Sequence, residues 1–546
     1  MSFPMNTPRG LTRLQLILLT AAWIATVPNA VAVGQFLASP AAGHGLAAAA
    51  FAAGGWLFIL TVTLAFLLAA GLFFPGRSAK VLCAAALVAA AAVSYFSTFL
   101  GTQFDKTMVT NMLQTHVAEA AELANLRLLA WVAVIGVIPA IAAWRVPMVP
   151  VSWTRASLSA MAALAAVAGV TVVTVYAQYP RYASAARNRD ITFNLVAPTN
   201  VLASAIALAA ADLNSRTVRA PRGTDARQAY AIARPRLLIL VLGETGRAQN
   251  HGLNGYLRDT TPSMRAAGGY YFANTESCGT ATAISVPCIF SGMSRAEFSI
   301  LTARGNETLI DVVHRAGARV LWIDNDSGCK EVCAHADYRD LTDSRDARWC
   351  PEPGNCHDEI LLDGLEPLVR SERRDTLVVL HLKGSHGPAY YKRYPAAFER
   401  FSPACQSNDL SSCTLAELRN AYDNTILYTD HVVGETIRLA DRMSDQFASA
   451  VLYVSDHGES LGEAGLFLHG LPYAVAPAEQ THVPLFAWVS RPFLKLERWD
   501  AGCMARQTLV PRSHDNVYAT VLGFLEIQSV EYKPALDLFE PCDPKP

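Results

Sequence analysis

Five long apolar runs open the chain, at about 16–38, 47–74, 79–100, 127–145 and 157–178. Each approaches or exceeds the ~20 residues that a helix needs to cross a bilayer. The polar stretches between them alternate in charge. Arg9 and Arg13 precede the first run, Arg77 and Lys80 separate the second from the third, and Arg145 and Arg155 separate the fourth from the fifth. The other two loops differ: 39–46 has no Lys or Arg, and 101–126 sets Lys106 against Asp105, Glu119 and Glu122. The positive-inside bias therefore predicts a cytoplasmic N-terminus, and five crossings leave the rest of the chain outside. The first run is too long, and too closely followed by others, for a cleaved signal peptide.

The pattern changes after this. Residues 181–233 read as a connector, with Arg181, Arg187, Asn188 and Arg189 early and an amphipathic stretch from Pro198 to Leu213. That stretch is expected to bridge the two halves and lie on the outer membrane surface. From residue 234 onward, short apolar runs alternate with helical periodicity. Strands are predicted at Leu237–Leu242, Arg319–Ile323, Thr376–Leu382, Ala450–Val454 and Pro484–Val489. Helices are predicted at Thr308–Ala316, Asp358–Val369, Thr414–Met443 and Ser513–Leu525. Strands apolar on both faces and separated by helices imply a mostly parallel central sheet. The expected organisation is a five-helix membrane domain over 1–180, the connector, and an α/β domain over 234–546.

Composition sharpens this picture. Charged residues make up 17% of the chain, against the ~25% of soluble domains, and the deficit lies in the first third. A net charge of −1 leaves no basic field for nucleic acid. Ten of eleven cysteines follow residue 277, the exception being Cys83. An even number in the exported part fits disulfides in an oxidising compartment. Proximity suggests Cys278–Cys288, Cys329–Cys333, Cys350–Cys356 and Cys405–Cys413, leaving Cys503–Cys542. A thiolate zinc site is the competing reading, although the spacings do not form two CxxC pairs.

Polar residues with chemical potential cluster where the predicted strands end, which is where ligands collect in such sheets. Glu244 follows the first strand, His386 the third, and Asp456-His457 the fourth. Thr280 lies between Cys278 and Cys288, near a predicted helix start, where backbone N–H groups favour an alkoxide or a phosphate. Thr282 and Ser285 are rival hydroxyls in the same run. Two carboxylates, an imidazole and a hydroxyl suit Zn, Mn or Mg. His386 in Gly-Ser-His-Gly-Pro and His469 in Leu-His-Gly-Leu-Pro are candidates for proton transfer or phosphate contact, whereas His381 and His482 read as structural.

Several runs together resemble one family. They are Gly243-Glu-Thr-Gly-Arg, His251-Gly-Leu-Asn-Gly-Tyr256, Ser277-Cys-Gly-Thr-Ala-Thr-Ala-Ile-Ser-Val-Pro-Cys288, Gly384-Ser-His-Gly-Pro388, Ser455-Asp-His-Gly-Glu-Ser-Leu-Gly462 and Leu468-His-Gly-Leu-Pro472. All resemble the phosphoethanolamine–lipid A transferases, a group that includes polymyxin-resistance enzymes. The resemblance implies an alkaline phosphatase/sulfatase-like exported domain in the periplasm of a bacterium, anchored in the inner membrane. It implies Thr280 as nucleophile, and Glu244, Thr280, Asp456 and His457 as ligands of one zinc, with a second zinc left open. It implies substrate contacts from Asn111, Thr115, Glu119, Ser327, Lys330, His386 and His469. The spacing of four in Asn111, Thr115 and Glu119 adds that they share one helix face. The implied donor is phosphatidylethanolamine, the implied acceptor is lipid A, and a monomer is expected. The same motifs also fit transfer to a core heptose or a periplasmic glucan.

Overall fold

A computed structural model describes residues 10–71, 76–188, 190–215, 219–229, 234–497 and 499–542. Arg9, Arg189, positions 72–74 of the second predicted span and 230–233 of the connector lie outside the described residues. The chain forms two compact units. One gathers Met1–Val109 with Ala124–Ala207, and the other gathers Thr110–Leu123 with Leu208–Pro546.

In the first unit four helices are long and apolar enough to cross a membrane: Leu46–Gly71, Ala79–Phe99, Leu126–Arg145 and Thr154–Ala177. A bent pair, Arg13–Thr26 and Ala30–Ala38 with 51° between them, reaches the same length and apolarity only when taken together, which makes up to five. The bend follows from Pro28, which has no N–H to continue the ladder. Asn29 repairs the break. Its Nδ2 donates to Ile24 O at 2.9 Å and to Ala197 O at 2.8 Å, and its Oδ1 accepts the Ala197 N–H at 2.8 Å. In hydrocarbon such internal satisfaction is obligatory. Close helix approach relies on a small residue at Gly54, where an added Cβ would collide with the Tyr182 hydroxyl. The connector stretch is helical over Thr199–Ser215.

The second unit is built on a seven-stranded sheet. In chain order its strands are β1 (Arg236–Gly243), β2 (Tyr270–Phe272), β3 (Arg319–Asp324), β4 (Asp337–Asp340), β5 (Thr376–His381), β6 (Ala448–Ser455) and β7 (Leu485–Val489). The spatial order is β2-β7-β6-β1-β5-β3-β4, and β7 alone runs against its neighbours. Alternation along β1 sorts its side chains onto two faces. Leu238, Leu240 and Leu242 join one core with Val286, Ile289, Ile310, Val313, Val517 and Val521. Leu237, Ile239 and Val241 join another with Tyr428, Val432, Val433 and Ile437 of helix Leu415–Arg442. Each fully buried aliphatic side chain contributes roughly 1.5–3 kcal/mol, so a central strand covered on both sides gives the sheet edge a rigid base.

Two helix expectations are corrected. Asp358–Val369 splits into a short 3₁₀ turn, Asp358–Leu362, and a helix, Leu365–Arg370, because Gly364 adopts a left-handed conformation (φ 70°) between them. Lys106–Gln114 and Val117–Glu122 are also separate helices. The Thr115 hydroxyl turns back to the Asn111 carbonyl at 2.8 Å, and Thr115 lies in the break. Asn111, Thr115 and Glu119 therefore do not line one continuous helix face.

Candidate active site

The carboxyl ends of the parallel strands converge on one buried hollow. Register explains why: Gly243 of β1 pairs Ser455 of β6, Leu242 pairs His381 of β5, and His381 pairs Asp324 of β3. Glu244, Asp326 and Asp456-His457 extend one or two residues beyond those ends. Gly384 permits the crowding. Its φ is +53°, and an added Cβ would stand 2.5 Å from the Glu244 carbonyl oxygen.

Glu244, Asp456 and His457 bring one ligand atom each within 4.8 Å of one another, all buried. His457 Nε2 lies 3.3 Å from Glu244 Oε1 and 3.4 Å from Asp456 Oδ2. Ligands held at ~2.0–2.1 Å around a tetrahedral zinc stand ~3.3–3.4 Å apart, so the two edges have the right length. Glu244 Oε1 and Asp456 Oδ2 are buried with no hydrogen-bond partner among the described residues. The His457 tautomer is set by Nδ1, which lies 2.9 Å from the Gly458 carbonyl and leaves Nε2 for the ligand hollow. Burial first, and then the charges of Asp456 and Asp326, push Glu244 well above the usual carboxylate range. Such a hollow favours a cation, and a divalent metal fits these three residues.

The hydroxyl run is held from three sides. Cys278 and Cys288 are joined. His514 Nδ1 accepts the Cys278 N–H at 3.0 Å, and Ser277 N–H donates to Thr481 O at 2.7 Å. Thr280 is buried; its hydroxyl donates to Leu471 O at 2.6 Å, and its carbonyl accepts the Gly470 N–H at 2.7 Å. The hydroxyl in hydrogen-bond contact with the ligand carboxylate belongs to Thr282, 2.8 Å from Glu244 Oε2 and 3.3 Å from His457 Nε2. Ala281 is the N-cap of helix Thr282–Ser291, so Thr280 sits one residue before it.

Other expected residues gather nearby. The ring of His469 packs 4.4 Å from His457 and 5.5 Å from His386. Glu459, fully buried, accepts His469 Nδ1 at 2.8 Å and also the Tyr390 hydroxyl, which fixes the His469 ring. Enclosure by protein, and then His469, hold His386 well below the ordinary imidazole range. Lys330 Nζ donates to Ser327 Oγ at 2.6 Å and to Gln114 O at 3.4 Å, and Ser327 Oγ donates to Asp326 Oδ2 at 2.7 Å. Glu119 is raised to about 7 by burial and by Asp326. Asn111 and Thr115 are half-buried.

Sequence reasoning missed several members. Asp326 had a signal, since it lies just past the end of a predicted strand. Glu459 also had one, inside the Ser455-Asp-His-Gly-Glu run. His381, read as structural, faces Glu244 and Asp326 in the hollow. Arg393 had no signal. Its guanidinium is buried and donates to His386 O at 2.7 Å, to Asn355 Oδ1 at 2.6 Å and, as a fork, to both carboxylate oxygens of Glu122. The four disulfide pairings suggested by proximity and the remaining pair, Cys503–Cys542, all form, and Cys83 is unpaired and buried, among the described residues.

A sulfatase family model matches residues 236–527, and a model described as phosphoethanolamine transferase EptA/EptB matches residues 60–213. The integral membrane lipooligosaccharide phosphoethanolamine transferase A of Neisseria meningitidis is 35% identical. That match covers 97% of this chain and 98% of that one, with a TM-score of 0.91. The chain belongs to the phosphoethanolamine transferase family. Among curated family members, EptA of Escherichia coli K12 is 44% identical over 310 residues, 57% of this chain and 56% of that protein. The phosphatidylethanolamine transferase Mcr-1 of Escherichia coli is 38% identical over 338 residues, 59% of this chain and 61% of that protein. The chain thus aligns with little more than half the length of these curated relatives. Its family membership accounts for both the apolar helices and the mostly parallel sheet.

Proposed function

We propose that this chain transfers phosphoethanolamine from phosphatidylethanolamine to a phosphate of lipid A through a covalent adduct on Thr280. The observation that carries the reading is the convergence of Glu244, Asp456 and His457 beside the Cys278–Cys288 hydroxyl run, at the carboxyl edge of the sheet. Zinc held by Glu244, Asp456 and His457, with Thr280 as a fourth ligand, would supply Lewis acidity that lowers the pKa of the threonine hydroxyl.

In the first step Thr280 Oγ forms a bond to phosphorus, and the bond from phosphorus to the glycerol oxygen breaks. The Thr280 hydroxyl proton passes to neutral His386 or His469, which hands it on to the departing diacylglycerol oxygen. In the second step a lipid A phosphate oxygen forms the new bond, the Thr280 Oγ–phosphorus bond breaks, and Thr280 recovers its proton. Glu459 orients His469 for this traffic, and Lys330 with Ser327 is placed to take a phosphoryl oxygen. Asn111, Thr115 and Glu119 complete the donor contacts, with Glu119 suited to the ethanolamine ammonium. The added amine lowers the negative charge of the lipid. Attraction for polybasic peptides such as polymyxin then falls, at about 1 kcal/mol for each basic group near an anionic surface. The spans lie in a bacterial inner membrane, with the N-terminus cytoplasmic, the disulfide-bearing unit periplasmic and the protein monomeric.

The test is mass spectrometry of the purified protein given donor lipid alone. A phosphoethanolamine mass on the peptide containing Thr280, absent in Thr280→Ala, is expected. No adduct, or one on another residue, overturns the covalent step. Thr282 is the rival site, because its hydroxyl touches Glu244, and fragmentation of the same peptide separates the two. A different acceptor is the second reading. The Kdo(2)-lipid A phosphoethanolamine 7''-transferase of Escherichia coli K12 is 31% identical over 306 residues, and lipid analysis of expressing cells distinguishes a heptose or glucan product.

A further inference from the structure

We propose that Glu244, Asp326 and His381 form a second cation site, which shares Glu244 with the site formed by Glu244, Asp456 and His457. It rests on the reading above only in that Glu244 is common to both.

Three observations carry it. Glu244, Asp326 and His381 each bring a ligand atom within 4.8 Å of the others, and all three are fully buried. Glu244 Oε1, Asp326 Oδ1 and His381 Nε2 have no hydrogen-bond partner among the described residues, although each is enclosed by protein. Buried polar atoms normally find partners; Glu244 Oε1 is shared with the site of Asp456 and His457, and Asp326 Oδ1 and His381 Nε2 are two further orphans beside it. The imidazole is also set for metal. His381 Nδ1 lies 2.9 Å from Asp324 Oδ2, a carboxylate held by Trp322 Nε1 at 2.9 Å and by the N–H groups of Asp326 and Gly328 at 3.0 and 3.1 Å. A carboxylate behind a histidine is the usual support of a metal ligand, fixing the tautomer and aiming the other nitrogen.

His381 pairs closely with Asp324 at 2.9 Å, while Asp326 stands further off. His381 Nε2 is 3.7 Å from Asp326 Oδ2, too long for a hydrogen bond. Two ligands at ~2.1 Å from one ion reach that separation at an angle of ~120°. The neighbouring ammonium groups do not fill the hollow. Lys330 Nζ is engaged by Ser327 and Gln114, and Lys383 Nζ by the Gly354 carbonyl at 3.1 Å. Two carboxylates and one imidazole suit a divalent ion of the zinc or manganese class.

The test counts metal. Full-length protein in detergent is stripped with chelator, dialysed against Zn²⁺ and measured by elemental analysis. The wild type is expected to hold two equivalents, and His381→Ala and Asp326→Asn one each. Asp326→Asn preserves shape if the histidine variant does not fold. His457→Ala is expected to retain one equivalent at the second site. Loaded with Mn²⁺, the wild type is expected to show the exchange-coupled resonance of two ions sharing a carboxylate, and Asp326→Asn the spectrum of isolated ions. A single equivalent in the wild type overturns the proposal. So does a second equivalent that survives Asp326→Asn but vanishes in His386→Ala or His469→Ala, which would place it at those histidines. Neither measurement reads the Thr280 adduct, so failure of the transfer chemistry and failure of this site are separable.

Discussion

His514 shows how one imidazole fixes the loop that carries Cys278 and Thr280. Its Nδ1 accepts from Cys278 N–H, and its Nε2 donates to Ser455 O at 2.9 Å, so only the neutral ring satisfies both partners. Burial lowers its pKa to about 4. The unfolded chain therefore binds a proton between about pH 6.5 and 4 that the folded one refuses. Stability is full above pH 6.5 and falls as pH drops towards 4, by at most ~1.4 kcal/mol per unit from this residue. His514→Asn is expected to be less stable at pH 8 and to show a shallower decline between pH 6.5 and 4, read by thermal unfolding at a series of pH values. An unchanged slope would remove His514 from the account. Residues of this kind were invisible in the sequence, because nothing adjacent marks them. Glu244, Asp456 and His457 were legible for the opposite reason: each abuts an apolar run that could only be a buried strand, so position along the chain stood in for position in space. Asp326 and Glu459 fall between these cases, carrying the same strand-end or motif signal but needing the hollow to show what they face.

Segments depart from expectation where a local group outbids periodicity. Proline bends the first helix pair at Pro28, Gly364 splits one predicted helix, and the chain breaks at Thr115 and His116 between Lys106–Gln114 and Val117–Glu122. The apolar runs themselves were legible, because length and burial dominate there. The short helix Val117–Glu122 is the informative case. Glu122 and Arg393 form a buried fork, with side chains 9% and 1% exposed. Asn408 adds a bond to the Glu122 carbonyl at 2.7 Å. Removing one partner strands the other charge in the interior, at a cost of about 3–5 kcal/mol. Glu122→Ala is expected to lose that much in denaturant unfolding. Glu122→Leu with Arg393→Met is expected to recover a good part, since an apolar pair leaves no charge unpaired. Arg393 also holds the His386 carbonyl, so the single variant should disturb that loop as well, visible as faster amide exchange at 384–389.

At the scale of the whole chain, charge and cysteine usage make the same statement about sidedness. Arg and Lys concentrate in alternate loops between the apolar runs, and every disulfide lies within 278–542. On a Cys83→Ala background, His44→Cys is expected to react with an impermeant maleimide in spheroplasts, and Ser78→Cys only after lysis. The reverse pattern would invert the orientation. The domain plan read from hydropathy places residues 110–123 among the spans, because they interrupt two apolar runs. The compact unit that contains the sheet also contains Thr110–Leu123. No composition change announces this, since the groups that hold the segment, Lys330 on Gln114 and Arg393 and Asn408 on Glu122, lie more than 200 positions away. A protein trimmed to its sheet-bearing half, starting at Leu208, would therefore be missing an internal part as well as an anchor. Arg393 would keep its charge and lose its counter-ion, so the excised half begins life with the same lesion as Glu122→Ala.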